Sequence, residues 1–304
     1  MKNIILLDGG MGQELIKRST QPPHPLWSAK ILHDEPEIVE AVHCEYILAG
    51  STVITLNNYS VTPERLKRDG APELFIPLQE KAKEIAIRSV EKTSSLVKHS
   101  VKIAGCLPPI IASYRPDLAP SLNECIDSYS MIAEAQKDVV DFFICETMSS
   151  IKEAKSAIVS AKNTNLPIWA SFTIQDNLES KLRSGETLKE AIESIKHLGV
   201  NAILINCSIP EAIESAFITL SSNFECVGAY ANGFTSVDAL EPGGTVESLH
   251  ARKDLDPKNY SSFALRWIKS GAKIVGGCCE VGPKHISHLK ECLIEEGYTI
   301  TDKL

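Results

Sequence analysis

Eight short apolar segments alternate with amphipathic helical segments along this chain, and this alternation restricts its fold more than any other feature. Several of the apolar segments are near-continuous runs, which is typical of strands buried on both faces. They cover residues 4–7, 52–56, 101–104, 141–145, 168–173, 202–206, 225–230 and 273–277. The helical segments cover residues 36–49, 73–97, 122–137, 149–161, 187–198, 210–220, 257–268 and 283–295.

Eight strand–helix units within 304 residues predict a (β/α)8 TIM barrel, an α/β fold formed by residues 1–304 as one domain. A doubly wound open sheet is the alternative. No Gly-x-Gly-x-x-Gly follows a predicted strand, so a dinucleotide-binding sheet lacks its usual motif. Pro210, Pro257 and Pro283 fall in the first turns of their helices. Ser149, with Glu153 behind it, is predicted to precede and cap the helix at 149–161.

The charge and cysteine content exclude several classes of protein. The net charge is −8 and no basic block is present, which argues against nucleic acid or an anionic membrane surface as a partner. The first apolar run is too short for a signal peptide or a membrane span. Nine cysteines, an odd number without a secreted-type spacing, indicate a reduced protein of the cytoplasm.

Polar residues follow the predicted strands at the points where they end. In a barrel, the carboxyl ends of all strands lie on one face, where active sites are built. This face would bring together the residues Asp8, Asn57, Asn58, Glu146, Cys207, Asn232, Cys278 and Cys279. Two long loops, 20–27 and 231–253, belong to the same face, and we expect them to cover a substrate.

Cys207, Cys278 and Cys279 are predicted to bind a metal. Adjacent cysteines such as Cys278 and Cys279 do not readily form a disulfide with each other. Two neighbouring thiolates and a third from another strand suit zinc, and three protein ligands leave a fourth position open, as in catalytic sites. The alternative is that cysteines are small buried apolar residues. We favour that interpretation for the other six, namely Cys44, Cys106, Cys125, Cys145, Cys226 and Cys292.

Asp8 and Glu146 form a second group of candidate site residues. Asp8 could simply cap the turn that follows it. Two carboxylates at the mouth of a barrel would also bind an ammonium group, and the backbone amides of Gly9 and Gly10 could hold a carboxylate. Together with the cysteines, these residues describe a pocket for an amino acid beside a thiophilic metal.

Six motifs carry or adjoin these residues, namely Leu7-Asp8-Gly9-Gly10-Met11-Gly12, the run from Asn58 to Arg65, Glu146-Thr147, Ile205-Asn206-Cys207-Ser208, Tyr230-Ala231-Asn232-Gly233 and Val275-Gly276-Gly277-Cys278-Cys279. They resemble the motifs of the homocysteine S-methyltransferase family, which is related to betaine–homocysteine methyltransferase and to the homocysteine-binding module of methionine synthase. The resemblance implies a (β/α)8 barrel with Zn²⁺ on Cys207, Cys278 and Cys279. It implies homocysteine bound by Asp8, Glu146, Gly9 and Gly10, with Asn232 near the metal.

The resemblance also implies a reaction. Zinc would bind homocysteine as its thiolate, and a small methyl donor, a sulfonium such as S-methylmethionine or S-adenosylmethionine, would give up its methyl group to form methionine. No acid–base residue is assigned. The loop 105–117 departs from the Gly-Pro-Tyr-Gly pattern of many relatives, so betaine or a corrinoid partner is an alternative donor. A noncatalytic thiol-rich protein that binds zinc or senses redox state is the remaining alternative, although it would not need the two acids.

Overall fold

The computed structural model describes residues 2–22, 24–244 and 249–303. Within these residues, all eight predicted strands are present and a ninth follows them. The strands are β1 (Lys2–Leu6), β2 (Val53–Thr55), β3 (Lys102–Leu107), β4 (Phe142–Met148), β5 (Ile168–Phe172), β6 (Ala202–Asn206), β7 (Val227–Tyr230), β8 (Ile274–Val275) and β9 (Tyr298–Thr301).

The eight predicted helices are also present, and three short helices were not predicted. The predicted helices are α3 (Pro36–Ala49), α5 (Phe75–Thr93), α6 (Leu122–Gln136), α7 (Ile151–Lys162), α8 (Leu188–Ile195), α9 (Pro210–Asn223), α10 (Pro257–Lys269) and α11 (Pro283–Glu295). The additional helices are α1 (Met11–Arg18), α2 (Ser28–Asp34) and α4 (Pro63–Arg68). None of the helices in the described ranges is long and apolar enough to cross a membrane.

Helix ends follow their local sequence signals. Pro210, Pro257 and Pro283 occupy the first turns of α9, α10 and α11, as predicted. The cap of α7 is Ser150 rather than Ser149, because the Ser150 side chain is the one that accepts from the Glu153 N–H, at 3.3 Å. Glu153 therefore lies at the third helical position, which is the spacing that a capping serine requires.

The strands form one parallel sheet in the order β2-β3-β4-β5-β6-β7-β8-β1-β9. A parallel bridge between Leu7 and Val53 joins the end of β1 to the start of β2, so the eight strands close into the predicted barrel. Pairing at this seam is short. Side chains supplement it: Thr52 Oγ1 accepts from the Leu6 N–H at 3.2 Å, and Ser51 Oγ donates to the Leu7 carbonyl at 3.2 Å.

The ninth strand supports the same seam from the opposite end of the barrel. β9 pairs in parallel with the first part of β1, from Lys2 with Tyr298 to Ile5 with Thr301. The Thr52 hydroxyl, at the start of β2, donates to the Thr301 carbonyl at 2.8 Å. β9 therefore pairs with the first part of β1, which β2 does not reach.

Apolar side chains fill both layers of the barrel. Ile5 and Leu7 of the first strand segment point into a core inside the ring, where Phe142 and Trp169 stack with ring centres 4.1 Å apart. Ile4 and Leu6 belong instead to the larger core between the strands and the surrounding helices. Successive side chains alternate between the two cores, and both cores are apolar. The buried strands therefore appear in the sequence as continuous apolar runs.

Candidate active site

A pocket opens at the carboxyl ends of the strands, where the barrel fold places active sites. It encloses about 1320 Å³ when its open mouth is included. Both loops that were predicted to cover a substrate contribute to its lining, one through Pro25 and Trp27 and the other through Leu240, Glu241 and Leu249. Residue 23 of the first loop and residues 245–248 of the second lie outside the described residues.

Cys207, Cys278 and Cys279 come together on the wall of this pocket, as the strand-end argument predicted. Their three sulfur atoms lie within 4.8 Å of one another, and the Cys207 and Cys279 sulfurs are 3.9 Å apart. All nine cysteines are free thiols. Tetrahedral coordination with metal–sulfur bonds near 2.3 Å requires sulfur atoms about 3.8 Å apart, so the three thiols fit a soft divalent metal.

The backbone holds the cysteine turns in unusual conformations. Cys207 has φ 46° and Glu280 has φ 64°. Both values lie in the left-handed region, which is unfavourable for residues other than glycine. Three further residues near the pocket share this feature, namely Trp27, Tyr114 and Thr147. Backbone strain of this kind persists where the surrounding structure enforces it, and it concentrates at functional sites.

Paired glycines allow the end of β1 to approach the Cys278–Cys279 turn. A Cβ atom on Gly10 would lie 2.4 Å from the Cys278 carbonyl oxygen, and one on Gly277 would lie 2.2 Å from Val281 Cγ1. The Gly277 N–H donates to the Asp8 carbonyl at 2.9 Å across this contact. The glycines thus place the candidate metal site directly beside Asp8.

The three thiols differ in the direction in which their pKa values are shifted. The neighbouring Cys278 and Cys279 thiols, together with the Tyr114 hydroxyl, lower the pKa of Cys207 because they stabilise its thiolate. The contact with Cys207 in turn raises the pKa of Cys278 and of Cys279, since a thiol that donates to a thiolate retains its proton. Cys207 is therefore the first of the three to carry negative charge.

Asp8 lines the pocket at the end of β1. The pKa of Asp8 is raised to about 8, mainly because the carboxyl group is buried. A hydrogen bond from the Thr55 N–H lowers this pKa, and the nearby Glu146 carboxylate raises it. The Thr55 N–H donates to Asp8 Oδ2 at 2.8 Å. A carboxyl group in this setting gains its charge readily when a cation binds beside it.

Glu146 lines the same pocket from β4. The register between β4 and β5 shifts between Cys145 and Met148, so Glu146 and Thr147 lie in an irregular part of the strand pairing. Burial raises the pKa of Glu146 to about 7, although a bond from Cys106 lowers it. The Cys106 thiol donates to Glu146 Oε1 at 2.9 Å, so Cys106 has a specific partner beyond apolar packing.

Gly9 and Gly10 also line the pocket, but their amides differ in availability. The Gly10 N–H donates to the Val281 carbonyl at 2.9 Å. This bond occupies the Gly10 amide, which we predicted from the sequence to be able to bind a ligand carboxylate. Gly9, together with Met11 and Gly12 at the start of α1, supplies the remaining backbone along this part of the wall.

Asn232 lies next to the cysteine turns rather than on the pocket wall. Its backbone N–H donates to the Ser208 carbonyl at 3.1 Å, and the following Gly233 N–H donates to the Cys279 carbonyl at 2.8 Å. The Asn232 side chain accepts from the Phe234 N–H at 3.1 Å and is fully buried. This segment therefore connects the two turns that carry the candidate metal ligands.

Four other residues of the pocket wall had no role predicted from the sequence. Trp27 and Tyr59 form an edge-to-face pair with ring centres 6.2 Å apart, and the Tyr114 hydroxyl lies 2.9 Å from Cys207 Sγ. Arg65 lies against Tyr59, with its guanidinium carbon 5.2 Å from the ring centre. The Thr62-Pro63 pair, a helix-start signal, could have located α4 and hence Arg65. Nothing in the sequence pattern marks Trp27 or Tyr114.

Comparisons with known proteins identify the family of this chain. A family model described as homocysteine S-methyltransferase matches residues 5–293. Homocysteine S-methyltransferase 1 of Arabidopsis thaliana is 28% identical over 315 residues, which cover 95% of this chain and 93% of that protein. Homocysteine S-methyltransferase of Escherichia coli (strain K12) is 27% identical and covers 95% of each chain.

A solved structure shares the fold at a similar level of identity. The metallated form of the homocysteine methyltransferase MmuM from Escherichia coli superposes with a TM-score of 0.81 at 25% identity, and covers 95% of this chain and 96% of that one. The family match runs from the first strand into the last helix, so it includes every strand-end residue described above. The protein is therefore an enzyme of the homocysteine S-methyltransferase family, whose reaction transfers a methyl group to homocysteine and gives methionine.

Proposed function

We propose that this enzyme transfers a methyl group from a small sulfonium donor to homocysteine, with Zn²⁺ held by Cys207, Cys278 and Cys279. One observation carries the proposal: three converging thiols share a pocket with two carboxyl groups, of which Asp8 is buried and Glu146 is partly buried. A thiophilic metal beside an amino-acid-binding site suits a substrate that has both a thiol and an ammonium group. The free state of all nine cysteines fits a cytoplasmic enzyme.

The three cysteines would supply the charge that the reaction needs. Zinc bound there would act as a Lewis acid that keeps the homocysteine sulfur as a thiolate at neutral pH. Three thiolates around one divalent cation leave the site with a net negative charge. That charge keeps electron density on the sulfur ligands, and it also favours the approach of a positively charged donor.

Asp8 and Glu146 would bind the ammonium group of homocysteine. Both carboxyl groups line the pocket, and both have raised pKa values, about 8 for Asp8 and about 7 for Glu146. A bound ammonium group would favour the charged form of each. The substrate carboxylate would lie near the Gly9 amide and the first amides of α1, since the Gly10 amide is already engaged. We assign Asn232 to support of the cysteine turns.

The aromatic side of the pocket would bind the donor. Trp27, Tyr59 and Tyr114 all line it, and aromatic rings attract a sulfonium cation through their π faces. During transfer, the bond from the methyl carbon to the donor sulfur breaks as the bond to the homocysteine sulfur forms. The donor leaves as a neutral thioether, and no proton moves in this step. The residues therefore need to align the two sulfur atoms with the methyl group, and no general base is required.

We expect S-methylmethionine to be preferred over S-adenosylmethionine, because no glycine-rich adenosine-binding loop follows a strand. The test is a competition assay with equal concentrations of S-methylmethionine, S-adenosylmethionine and betaine, each with a different isotope label in the transferred methyl group, in which each labelled methionine is quantified. Methionine should form from the sulfonium donors, and a zinc chelator should abolish it. Cys207→Ser, Cys278→Ser and Cys279→Ser should each lose bound zinc. Methionine formed mainly from betaine would contradict the donor, and full zinc content in all three variants would contradict the metal site.

A further inference from the structure

Arg65 is a buried cation in the wall of the pocket. Only 8% of the residue is exposed, yet it lines the cavity. Its Nη2 donates to the Pro109 carbonyl at 2.7 Å and its Nε to the Ile110 carbonyl at 3.4 Å. The guanidinium also lies over the Tyr59 ring. These contacts fix its orientation through neutral groups alone.

The positive charge of Arg65 has no carboxylate partner among the residues that the structure describes. Its neighbour Arg68, one turn further along α4, pairs with Asp69 at 2.7 Å. The buried Glu153 is near enough to interact with the Arg65 charge, but its carboxylate accepts from Ser150 and forms no ion pair with Arg65. A buried guanidinium without a counter-ion is unfavourable in the empty protein, so a site of this kind favours an anionic ligand group.

We propose that Arg65 binds the carboxylate of the methyl donor. This inference rests on the proposed function and adds a recognition residue to it. A guanidinium can form two parallel hydrogen bonds to a carboxylate, which fixes the direction of the ligand as well as its charge. A donor held at its carboxylate would have its sulfonium beside the ring of Tyr59.

The position of Arg65 favours the donor over homocysteine as its ligand. The acceptor ammonium is assigned to Asp8 and Glu146, and its carboxylate to the amides near Gly9. Arg65 instead contacts Tyr59, in the aromatic wall, and the carbonyl groups of Pro109 and Ile110. Those carbonyls belong to the loop 105–117, which also carries Tyr114 of the aromatic wall.

The experiment compares S-methylmethionine with its carboxamide, which has the same shape and sulfonium but no negative charge. In the wild-type enzyme, kcat/KM should be roughly 10- to 100-fold higher for the carboxylate donor. Arg65→Met should lower kcat/KM for S-methylmethionine by a similar factor and leave the carboxamide almost unchanged. Arg65→Lys should retain part of the preference, because it keeps the charge and loses the paired geometry.

Lys67→Met is the matched control, since it removes a cation from the exposed side of the same helix. It should leave the preference between the two donors at the wild-type value. An equal loss for both donors in Arg65→Met would mean that Arg65 only supports the loop, and would overturn the inference. Weaker homocysteine binding with an unchanged donor preference would assign Arg65 to the acceptor and overturn it too. A wild-type enzyme that makes no methionine from any sulfonium would instead refute the proposed function, and the inference with it.

Discussion

At the scale of single residues, Glu146 illustrates a conflict between substrate binding and stability. Burial raises its pKa from 4.5 to about 7, so the folded state binds its proton more tightly than the unfolded state does. The free energy of unfolding therefore falls as pH rises from about 4.5 to about 7, by at most about 3 kcal/mol. A carboxyl group that is costly to ionise in the empty pocket is one that a bound ammonium group can stabilise.

Glu146→Gln should remove the contribution of Glu146 to this dependence in the metal-free, ligand-free protein, whereas Asp8, whose pKa is also raised, keeps its own contribution. Urea unfolding at pH 4.5 and pH 7.5 should show a smaller loss of stability for the variant than for the wild type, because glutamine has no charge to bury. Glu37→Gln, at an exposed position of α3, is the control and should follow the wild-type curve. A variant that loses as much stability between the two pH values as the wild type does would contradict the raised pKa of Glu146.

Tyr114 is a site residue that the sequence pattern did not indicate. Its hydroxyl lies 2.9 Å from Cys207 Sγ, and Arg183 lies 5.3 Å from the centre of its ring. The strand-end rule locates Cys207, but it gives no information about a loop residue that reaches the same sulfur through a left-handed backbone conformation. Contacts of this type depend on the path of the loop 105–117, which no periodicity encodes.

Tyr114→Phe should raise the pKa of Cys207, because the hydroxyl hydrogen bond stabilises the thiolate. In the metal-free enzyme, alkylation of the most reactive thiol at neutral pH should slow by roughly tenfold. The measurement is the rate of iodoacetamide labelling at Cys207, identified by peptide mass. Tyr59→Phe, whose hydroxyl bonds to Ser113 instead, should not change this rate. Faster labelling in Tyr114→Phe would contradict the assigned contact.

At the scale of elements, the approach of β1 to the Cys278–Cys279 turn depends on Gly10. Gly10→Ala would place a Cβ atom 2.4 Å from the Cys278 carbonyl oxygen and 2.9 Å from the Cys279 Cα. Because backbone must move to accept it, we expect a loss of about 1–3 kcal/mol in stability and weaker metal binding. Chelator competition measures the metal affinity.

Gly70→Ala provides a control for the cost of substituting a glycine. Gly70 has φ 76°, and a Cβ atom added there would have no neighbour within 4 Å, so alanine adds backbone strain without reaching the cysteines. It should lose some stability and keep the wild-type metal affinity. If Gly10→Ala bound metal as tightly as Gly70→Ala, the glycine would not be needed for the site.

The same scale shows what the sequence could predict about the fold. Strands β1 to β8 are buried runs between polar turns, and their apolar character alone located them. β9 reads Tyr-Thr-Ile-Thr, is only partly buried and follows the eighth unit, so neither periodicity nor the barrel expectation indicated it. Helices α1, α2 and α4 have six to eight residues, too few for a clear apolar stripe.

The candidate site likewise contains residues that were predictable from the sequence and residues that were not. Residues that follow strands, such as Asp8, Glu146 and Cys207, were predictable because the barrel gathers strand ends on one face. Residues whose position depends on a short helix or a loop, such as Arg65, Trp27 and Tyr114, became apparent only once the chain was folded.

At the scale of the whole molecule, the cysteines couple metal binding to closure of the barrel. Cys207 follows β6, and Cys278 and Cys279 follow β8, with β7 between them. The three sulfurs converge only when these strands are paired, so a metal bound by all three stabilises the folded state. At a free metal concentration a thousandfold above Kd, the gain is about 4 kcal/mol.

Removal of the metal should therefore lower the melting temperature of the wild-type enzyme. Calorimetry with and without zinc should show a clear increase in Tm on metal addition. Cys207→Ser should lose most of that increase, whereas Cys292→Ser, at a thiol in α11, should retain it. An unchanged Tm for the wild type on metal addition would contradict the coupling.

Asp8 belongs to both the pocket and the seam of the barrel. Its Oδ2 accepts the Thr55 N–H at 2.8 Å, at the β1–β2 junction where a single bridge and a few side-chain bonds close the ring. A ligand ammonium would hold this carboxyl group in its charged form, and a charged acceptor strengthens the bond from the Thr55 N–H. The solvent exchange of the Thr55 amide hydrogen should therefore slow when homocysteine binds, which makes one backbone amide a direct readout of whether the acceptor site is filled.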